Sequence, residues 1–228
     1  LIAALAEGET ILKGALFSND AKNMLACLSI LGIKMEIDEE NETITVQGCG
    51  GRLPVREASV NVGSAGTAAR FLTALLAFSA GVYHLDASEQ MKKRPMKPLL
   101  DALMKLGALI SYDEAEGRFP FTIDSRAVKG GEISLDTCIS SQFLSAVVMT
   151  GFLLPDGLKV NIAGGRESLP YVDMTARVME SFEMKPDVVC DNGVVSYILS
   201  GGRAYKGRKY EIEPDVSAAC YFYAAAEI

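Results

Sequence analysis

The sequence predicts an α/β chain made of three copies of one β-α-β-α-β-β unit about a pseudo-threefold axis, with helices buried at the centre and sheets outside, an inside-out α/β barrel. Three observations predict it. Helix-closing dipeptides recur as Leu31-Gly32, Leu106-Gly107 and Phe182-Glu183, with offsets of 107 − 32 = 75 and 183 − 107 = 76 residues, the self-similarity that marks a repeat architecture. Helix starts keep the same spacing: Gly66 to Ser141 is 75 residues, and 75 more reaches Val216 beside the turn P-D-V-S. Within a unit the first helix is apolar nearly all round, as in A-A-R-F-L-T-A-L-L-A-F and Q-F-L-S-A-V-V-M, and the second is amphipathic. That pairing suits one central and one peripheral helix.

The elements follow in order. A helical run from Ala21 to Leu31 leads into the strand-like I-K-M-E-I. In the second unit the expected strands and helices are Ala58 to Val62, Ala65 to Ala80, Val82 to Asp86, Pro95 to Leu106, Ala108 to Tyr112 and Phe119 to Ile123. In the third they are Glu132 to Leu135, Ile139 to Leu154, Leu158 to Ala163, Pro170 to Phe182, Lys185 to Cys190 and Val194 to Leu199. The repeats therefore span 1–50, 51–128 and 129–202, inside one domain covering 1–205, and 206–228 reads as a crossover into a further repeat. The chain opens on Leu1 inside an apolar run and stops at Ile228 in an alanine-rich helix without a C-cap signal, so a fragment of a longer protein is expected.

Composition excludes several function classes. With 49% hydrophobic and 22% charged residues the chain is not disordered, and its longest nearly apolar runs, Phe71 to Val82 and Phe143 to Leu154, are 12 residues each, short of the roughly 18 a membrane span requires. A net charge of −7 opposes a general nucleic-acid surface, so any attraction for an anion must be built locally. Five cysteines without a C-x-x-C pair fit a reducing cytoplasm. The single histidine, His84, lies in a strand-like run and reads as structural, which leaves no Ser-His-Asp triad and no His/Cys zinc site. No metal and no cofactor are expected. Cys138, just before two serines, is a candidate nucleophile or a small semi-buried thiol.

Candidate ligand chemistry clusters at the equivalent helix starts. The turn N-V-G-S-A-G-T-A-A-R (61–70) carries a strand into a helix, and its glycines, 63 and 66, leave room for backbone amides to approach an anion. Lys92, Lys93 and Arg94 precede Pro95, a residue suited to the first helical position. Three cations there oppose the helix dipole unless an anion shares the site. Ser140-Ser141-Gln142 offers more polar groups than one N-cap needs. Gly164-Gly165-Arg166-Glu167-Ser168 leads to Pro170-Tyr171 and brings a hydroxyl, a cation and a phenol to one turn. Asp20 and Asp215 stand at equivalent strand-to-helix turns, as N-caps or as catalytic acids.

G-S-A-G-T-A-A-R-F-L (63–72), M-K-K-R-P (91–95), S-S-Q-F-L-S-A (140–146), S-L-P-Y-V-D-M-T (168–175) and D-V-S-A-A-C-Y-F (215–222) occur in the order and spacing of the 5-enolpyruvylshikimate-3-phosphate synthase family, which the whole chain resembles. The resemblance implies two half-globes of three units each, the first of which is 1–205, and transfer of the enolpyruvyl group of phosphoenolpyruvate to the 5-hydroxyl of shikimate 3-phosphate with release of phosphate. It implies that Ser140, Ser141 and Ser168, with Tyr171, hold shikimate 3-phosphate and that Gln142 touches both substrates. Arg94 would bind the phosphoenolpyruvate carboxylate, Gly66 would lay its backbone against that substrate, and Thr67 and Arg70 would complete the motif. Ser64 replaces the family's usual asparagine. The family's Lys-Ser pair and a nearby arginine would precede Leu1, and its acid/base carboxylates and further cations belong to the second half-globe. A monomeric enzyme of the cytoplasm is expected, with that half-globe as the chain's own partner, no nucleic acid or membrane, and no turnover by this segment alone. UDP-N-acetylglucosamine enolpyruvyl transferase and a non-catalytic module of the same fold are the alternatives.

Overall fold

The computed structural model describes residues 1–136, 140–163, 169–191 and 193–226. In chain order the elements are α1 (Ile2–Leu5), β1 (Glu9–Lys13), α2 (Asn19–Ile30), β2 (Lys34–Asp38), β3 (Thr43–Gln47), β4 (Glu57–Asn61), α3 (Gly66–Ala77), β5 (Val82–Asp86), α4 (Glu89–Lys92), α5 (Lys97–Lys105), β6 (Leu109–Tyr112), β7 (Phe121–Asp124), β8 (Gly131–Asp136), α6 (Ser141–Thr150), β9 (Leu158–Ala163), α7 (Leu169–Ser181), β10 (Asp187–Asp191), β11 (Val194–Leu199), β12 (Lys209–Glu211) and α8 (Val216–Ala226).

The strands form three four-stranded sheets of one topology, ordered β12-β1-β3-β2, β4-β5-β7-β6 and β8-β9-β11-β10. In each the first pair is parallel and the other two are antiparallel. The first sheet draws its parallel strand from far along the chain, pairing Ile11 with Lys209 and Lys13 with Glu211. The segment expected as a crossover thus contributes a strand to the first sheet before α8 begins.

Central and peripheral helices differ as their patterns require. Ten of the twelve α3 residues are buried, from Gly66 to Ala77, because a helix packed on all sides has no face for water. It lies against α6, whose residues from Phe143 to Thr150 are likewise buried. In α5 the buried residues, Leu99, Leu100, Ala102 and Leu103, form one face.

The repeated dipeptides prove to be repeated C-caps. Gly32, Gly107 and Glu183 have φ of +88°, +98° and +62°, the left-handed conformation that ends a helix while letting the next amide reach back. Ile33 N donates to Leu28 O at 3.0 Å, Ala108 N to Leu103 O at 3.2 Å and Met184 N to Met179 O at 3.0 Å. Those bonds turn the chain into β2, β6 and β10.

Some boundaries differ from expectation. The helix expected from Pro95 starts at Lys97, with Pro98 inside its first turn, and a separate short helix, α4, precedes it. The long run ending at Leu154 is an α-helix only to Thr150 and tightens into a 3-10 turn over Gly151–Leu153. His84 serves the sheet: its ring nitrogens lie 3.0 Å from Ser59 Oγ and 2.9 Å from Asp113 Oδ2. Among the described residues no helix is long and apolar enough to cross a membrane.

Candidate anion site at the start of the central helices

Helix α3 begins without a side-chain cap. Its N-cap residue is Ala65, which cannot accept a hydrogen bond through its side chain, so the first backbone N–H groups remain open to an acceptor from outside. Gly63 holds the preceding turn at φ +60°, with its N–H donating to Asn61 Oδ1 at 2.8 Å. A Cβ on Gly63 would lie 2.5 Å from Asn23 Nδ2. That glycine makes room for the protein's own asparagine rather than for a ligand, which corrects the expectation that both glycines of the turn face an anion.

Gly66 does face the site. A Cβ built there would stand 2.9 Å from Arg94 Nη1, 3.0 Å from Arg70 Nη1 and 3.9 Å from Gln142 Oε1. Two guanidiniums from different segments therefore converge on one point above the helix start, with the Gln142 amide beside them. Gln142 Nε2 donates to Thr67 Oγ1 at 3.3 Å, tying the first turn of α6 to that of α3 at positions 142 − 67 = 75 residues apart.

Arg70 is the unusual member. It is 6% exposed on a helix otherwise made of small and apolar residues. Its Nη1 donates to the Gly66 carbonyl at 3.0 Å and lies 3.5 Å from Met91 Sδ, and its guanidinium sits 5.9 Å from the centroid of the Phe143 ring. Nε is buried without a hydrogen-bond partner. Burial first and the Arg94 charge second pull its pKa below the usual guanidinium range, down to about 10. A cation held among apolar neighbours beside a second cation is stabilised by an anion between them.

Arg94 is exposed and follows α4, with its N–H on the Met91 carbonyl at 2.9 Å. The two lysines before it behave differently from expectation. Lys92 ends α4, where a cation favours the dipole, and its Nζ lies 3.2 Å from Glu89, 3.5 Å from Glu114 and 3.6 Å from Asp86. Lys93 is the C-cap of that short helix. Lys92 and Lys93 therefore close α4 rather than open α5, while Arg94 reaches the site over Gly66.

Ser140 caps α6, its Oγ accepting from Gln142 N at 3.2 Å, and keeps a hydroxyl proton to donate. Ser141 is the first helical residue and half-buried. Tyr171 is 63% exposed in the first turn of α7, where its carbonyl accepts from Thr175 Oγ1 at 2.9 Å. The hydroxyls of Thr175 and Ser145 lie 2.9 Å apart and link α7 to α6. Ser168, Cys138 and the run 164–167 lie outside the described residues. Ser64 is exposed in the turn before α3, and Thr67 is exposed in its first turn.

Of the two aspartates, Asp215 stands at an N-cap position and Asp20 does not. Ser18 caps α2, accepting from Ala21 N at 3.2 Å, so Asp20 falls inside the first turn. Asp20 shares with Thr67, Ala68 and Phe71 the lining of a largely apolar cavity of about 420 Å³. Asp215 is exposed immediately before α8, where its carbonyl accepts from Ala219 N at 3.2 Å. Among the described residues no group of three or more His, Cys, Asp or Glu could hold a metal ion.

The depth of Arg70 and its seat between Met91 and Phe143 were not read from the sequence. The signal was present: one charged residue, four after Gly66, in a helix apolar nearly all round.

Known proteins resemble this chain in sequence and in fold. The family described as EPSP synthase (3-phosphoshikimate 1-carboxyvinyltransferase) matches residues 1–228. The 3-phosphoshikimate 1-carboxyvinyltransferase of Trichormus variabilis is 38% identical over 228 residues, covering 100% of this chain and 53% of that protein. The enzyme of the same name from Sulfurovum sp. is 39% identical over 230 residues, with the same coverage. The structure of EPSP synthase from Acinetobacter baumannii superposes with a TM-score of 0.79 at 25% identity, over 97% of this chain and 48% of that one. The chain spans about half the length of these relatives, 53% of each. With the match running from the first residue to the last, the chain belongs to the EPSP synthase (3-phosphoshikimate 1-carboxyvinyltransferase) family.

Proposed function

We propose that this chain forms one wall of a carboxyvinyltransferase cleft, in which the enolpyruvyl group of phosphoenolpyruvate passes to the 5-hydroxyl of shikimate 3-phosphate and phosphate departs. The observation that carries the reading is the convergence of Arg94, Arg70 and Gln142 over Gly66 at an uncapped helix start. In this reading Arg94 takes the carboxylate of phosphoenolpyruvate, for which a planar guanidinium offers two parallel donors. Arg70 supplies buried positive charge behind it, and Gly66, Ser64 and Thr67 border the same ligand. Ser140, Ser141, Ser168 and Tyr171 hold shikimate 3-phosphate, and Gln142 lies between the two substrates.

The reaction needs a proton for the methylene carbon, a base for the attacking hydroxyl and positive charge around the departing phosphate. We assign the acid and base to the remaining length that the relatives possess, which would close over this wall. The half-globe expected over 1–205 then also takes in β12 (Lys209–Glu211), the chain beyond it leads toward the other, and the full enzyme is a cytoplasmic monomer. The relatives' shared name favours shikimate 3-phosphate over a nucleotide sugar as acceptor.

Phosphate release tests this directly. Residues 1–228 alone should give none above background, and the full-length enzyme containing them should turn over with shikimate 3-phosphate and not with UDP-N-acetylglucosamine. Ordinary turnover by the 228-residue chain alone, or acceptance of the nucleotide sugar instead, contradicts the proposal.

A further inference from the structure

The opposite end of the central helices carries a second cationic cavity. It measures about 750 Å³ and is lined by Arg52, Arg56, Arg126, Lys129 and Arg203, with Glu7 as its acid. Helix α3 separates it from the first site: Gly66 opens that helix and its C-cap, Phe78, lines this cavity, so the two lie roughly 18 Å apart at 1.5 Å per residue.

Three of the cations are equivalents under the repeat. Arg52, Arg126 and Arg203 are spaced by 126 − 52 = 74 and 203 − 126 = 77 residues, and each follows the last strand of its repeat, β3, β7 or β11. Arginines near helix C-termini could simply offset the dipoles of those helices. Their partners are elsewhere or lacking. Arg126 pairs with Asp124 at 2.5 Å. Among the described residues Arg52, Arg56 and Lys129 make no side-chain hydrogen bond or ion pair, and Arg203 only lies 6.0 Å over the Phe152 ring. Glu7 is engaged by Lys206. In a chain of net charge −7, a cavity with four uncompensated cations is a local reversal of sign.

We propose that this cavity binds an oligophosphate, a short run of linked phosphate groups. The cations come from connections after all three repeats, so a ligand that satisfies them must spread several negative charges across the cavity. A single carboxylate or phosphate reaches only one or two. The volume lies within the range of small-molecule sites, and guanidiniums suit phosphate oxygens bidentately. The site is independent of the reading given to Arg94 and Arg70.

Calorimetric titration of the full chain with inorganic tripolyphosphate at low ionic strength tests it. The unmodified chain should bind saturably, R52Q/R203Q should weaken binding at this cavity at least tenfold, and R94Q, which alters the anion site at the other end of α3, should leave binding at this cavity within twofold. Absence of saturable binding, an equal loss in R94Q, or undiminished binding in R52Q/R203Q overturns the proposal. Circular dichroism reports whether the double variant folds. If it does not, R56Q/K129Q carries the same expectation and the same contradiction.

Discussion

Arg70 joins a cost to folding with a place in the proposed anion site. With its pKa pulled down to about 10, it is charged in both folded and unfolded states below pH 10. The lowered value marks a cost to folding that is present throughout that range and is relieved only as pH rises above 10. A buried, incompletely partnered polar group costs roughly 1–3 kcal/mol, so R70M should raise the melting temperature by a few degrees at pH 7.5 while weakening anion binding at least tenfold. Unchanged anion affinity in R70M would remove Arg70 from the site.

Cysteine chemistry gives a second test at the same scale. Cys27 is 1% exposed, donates to the Asn61 carbonyl at 3.3 Å and has its thiol pKa pushed from 9.0 up to about 11 by burial. Cys190 and Cys220 are exposed. At pH 8 a thiol reagent should modify those two rapidly and reach Cys27 only as fast as the fold opens. Because the folded pKa is raised, the unfolded thiol ionises first, and Cys27's contribution to stability is lost as pH climbs from 9 to 11. Denaturant midpoints should fall less over that interval in C27S than in the unmodified chain.

Among the elements, the three C-caps form an internal experiment. Gly32 and Gly107 adopt positive φ without a side-chain penalty, whereas Glu183 at φ +62° bears a Cβ in a region that L-residues avoid. E183G should therefore stabilise the fold by about 0.5–1 kcal/mol, measured as a shift of the urea midpoint at unchanged slope. G107A should destabilise it by a similar amount or more. Stabilisation by G107A, or destabilisation by E183G, contradicts the equivalence of the three turns.

Two of these caps were legible because a helix terminus writes a local signal, a leucine followed by glycine, and the third, Phe182-Glu183, was legible through its 76-residue spacing from Gly107. The central helices were legible because an all-round apolar pattern has one common explanation. Helix α4 was not: its cap, Ser88 accepting from Met91 N at 3.3 Å, precedes only four helical residues, too few for a period. The start of α5 was misplaced because Pro95 and Pro98 both satisfy the preference for proline at a helix start. Strand β12 was missed because three residues carry no alternation, and their pairing with β1 spans nearly the whole sequence.

At the scale of the molecule, repetition does the positioning. The helices of successive units start at one end, which brings Gly66 and Gln142 together although no local feature of either segment names the other. The 75-residue period made the meeting of these helix starts readable in the sequence. It could not say that Lys92 would be consumed by Glu89, Glu114 and Asp86, since ion pairing depends on side chains from separate turns. Nor could it tell that Gly63 serves Asn23 and not a ligand.

The central claim is that this wall divides its chemistry, with Arg94 directed to phosphoenolpyruvate and Ser140 to shikimate 3-phosphate. Separate titrations of the two substrates into R94A and S140A forms of the full-length enzyme test it most directly. Removing one member of a charge-assisted contact costs roughly 2–4 kcal/mol, which is roughly 30- to 1000-fold in affinity. R94A should lose that much for phosphoenolpyruvate and little for shikimate 3-phosphate, and S140A should show the reverse order with a smaller loss. Equal weakening of both ligands by both substitutions would contradict the account.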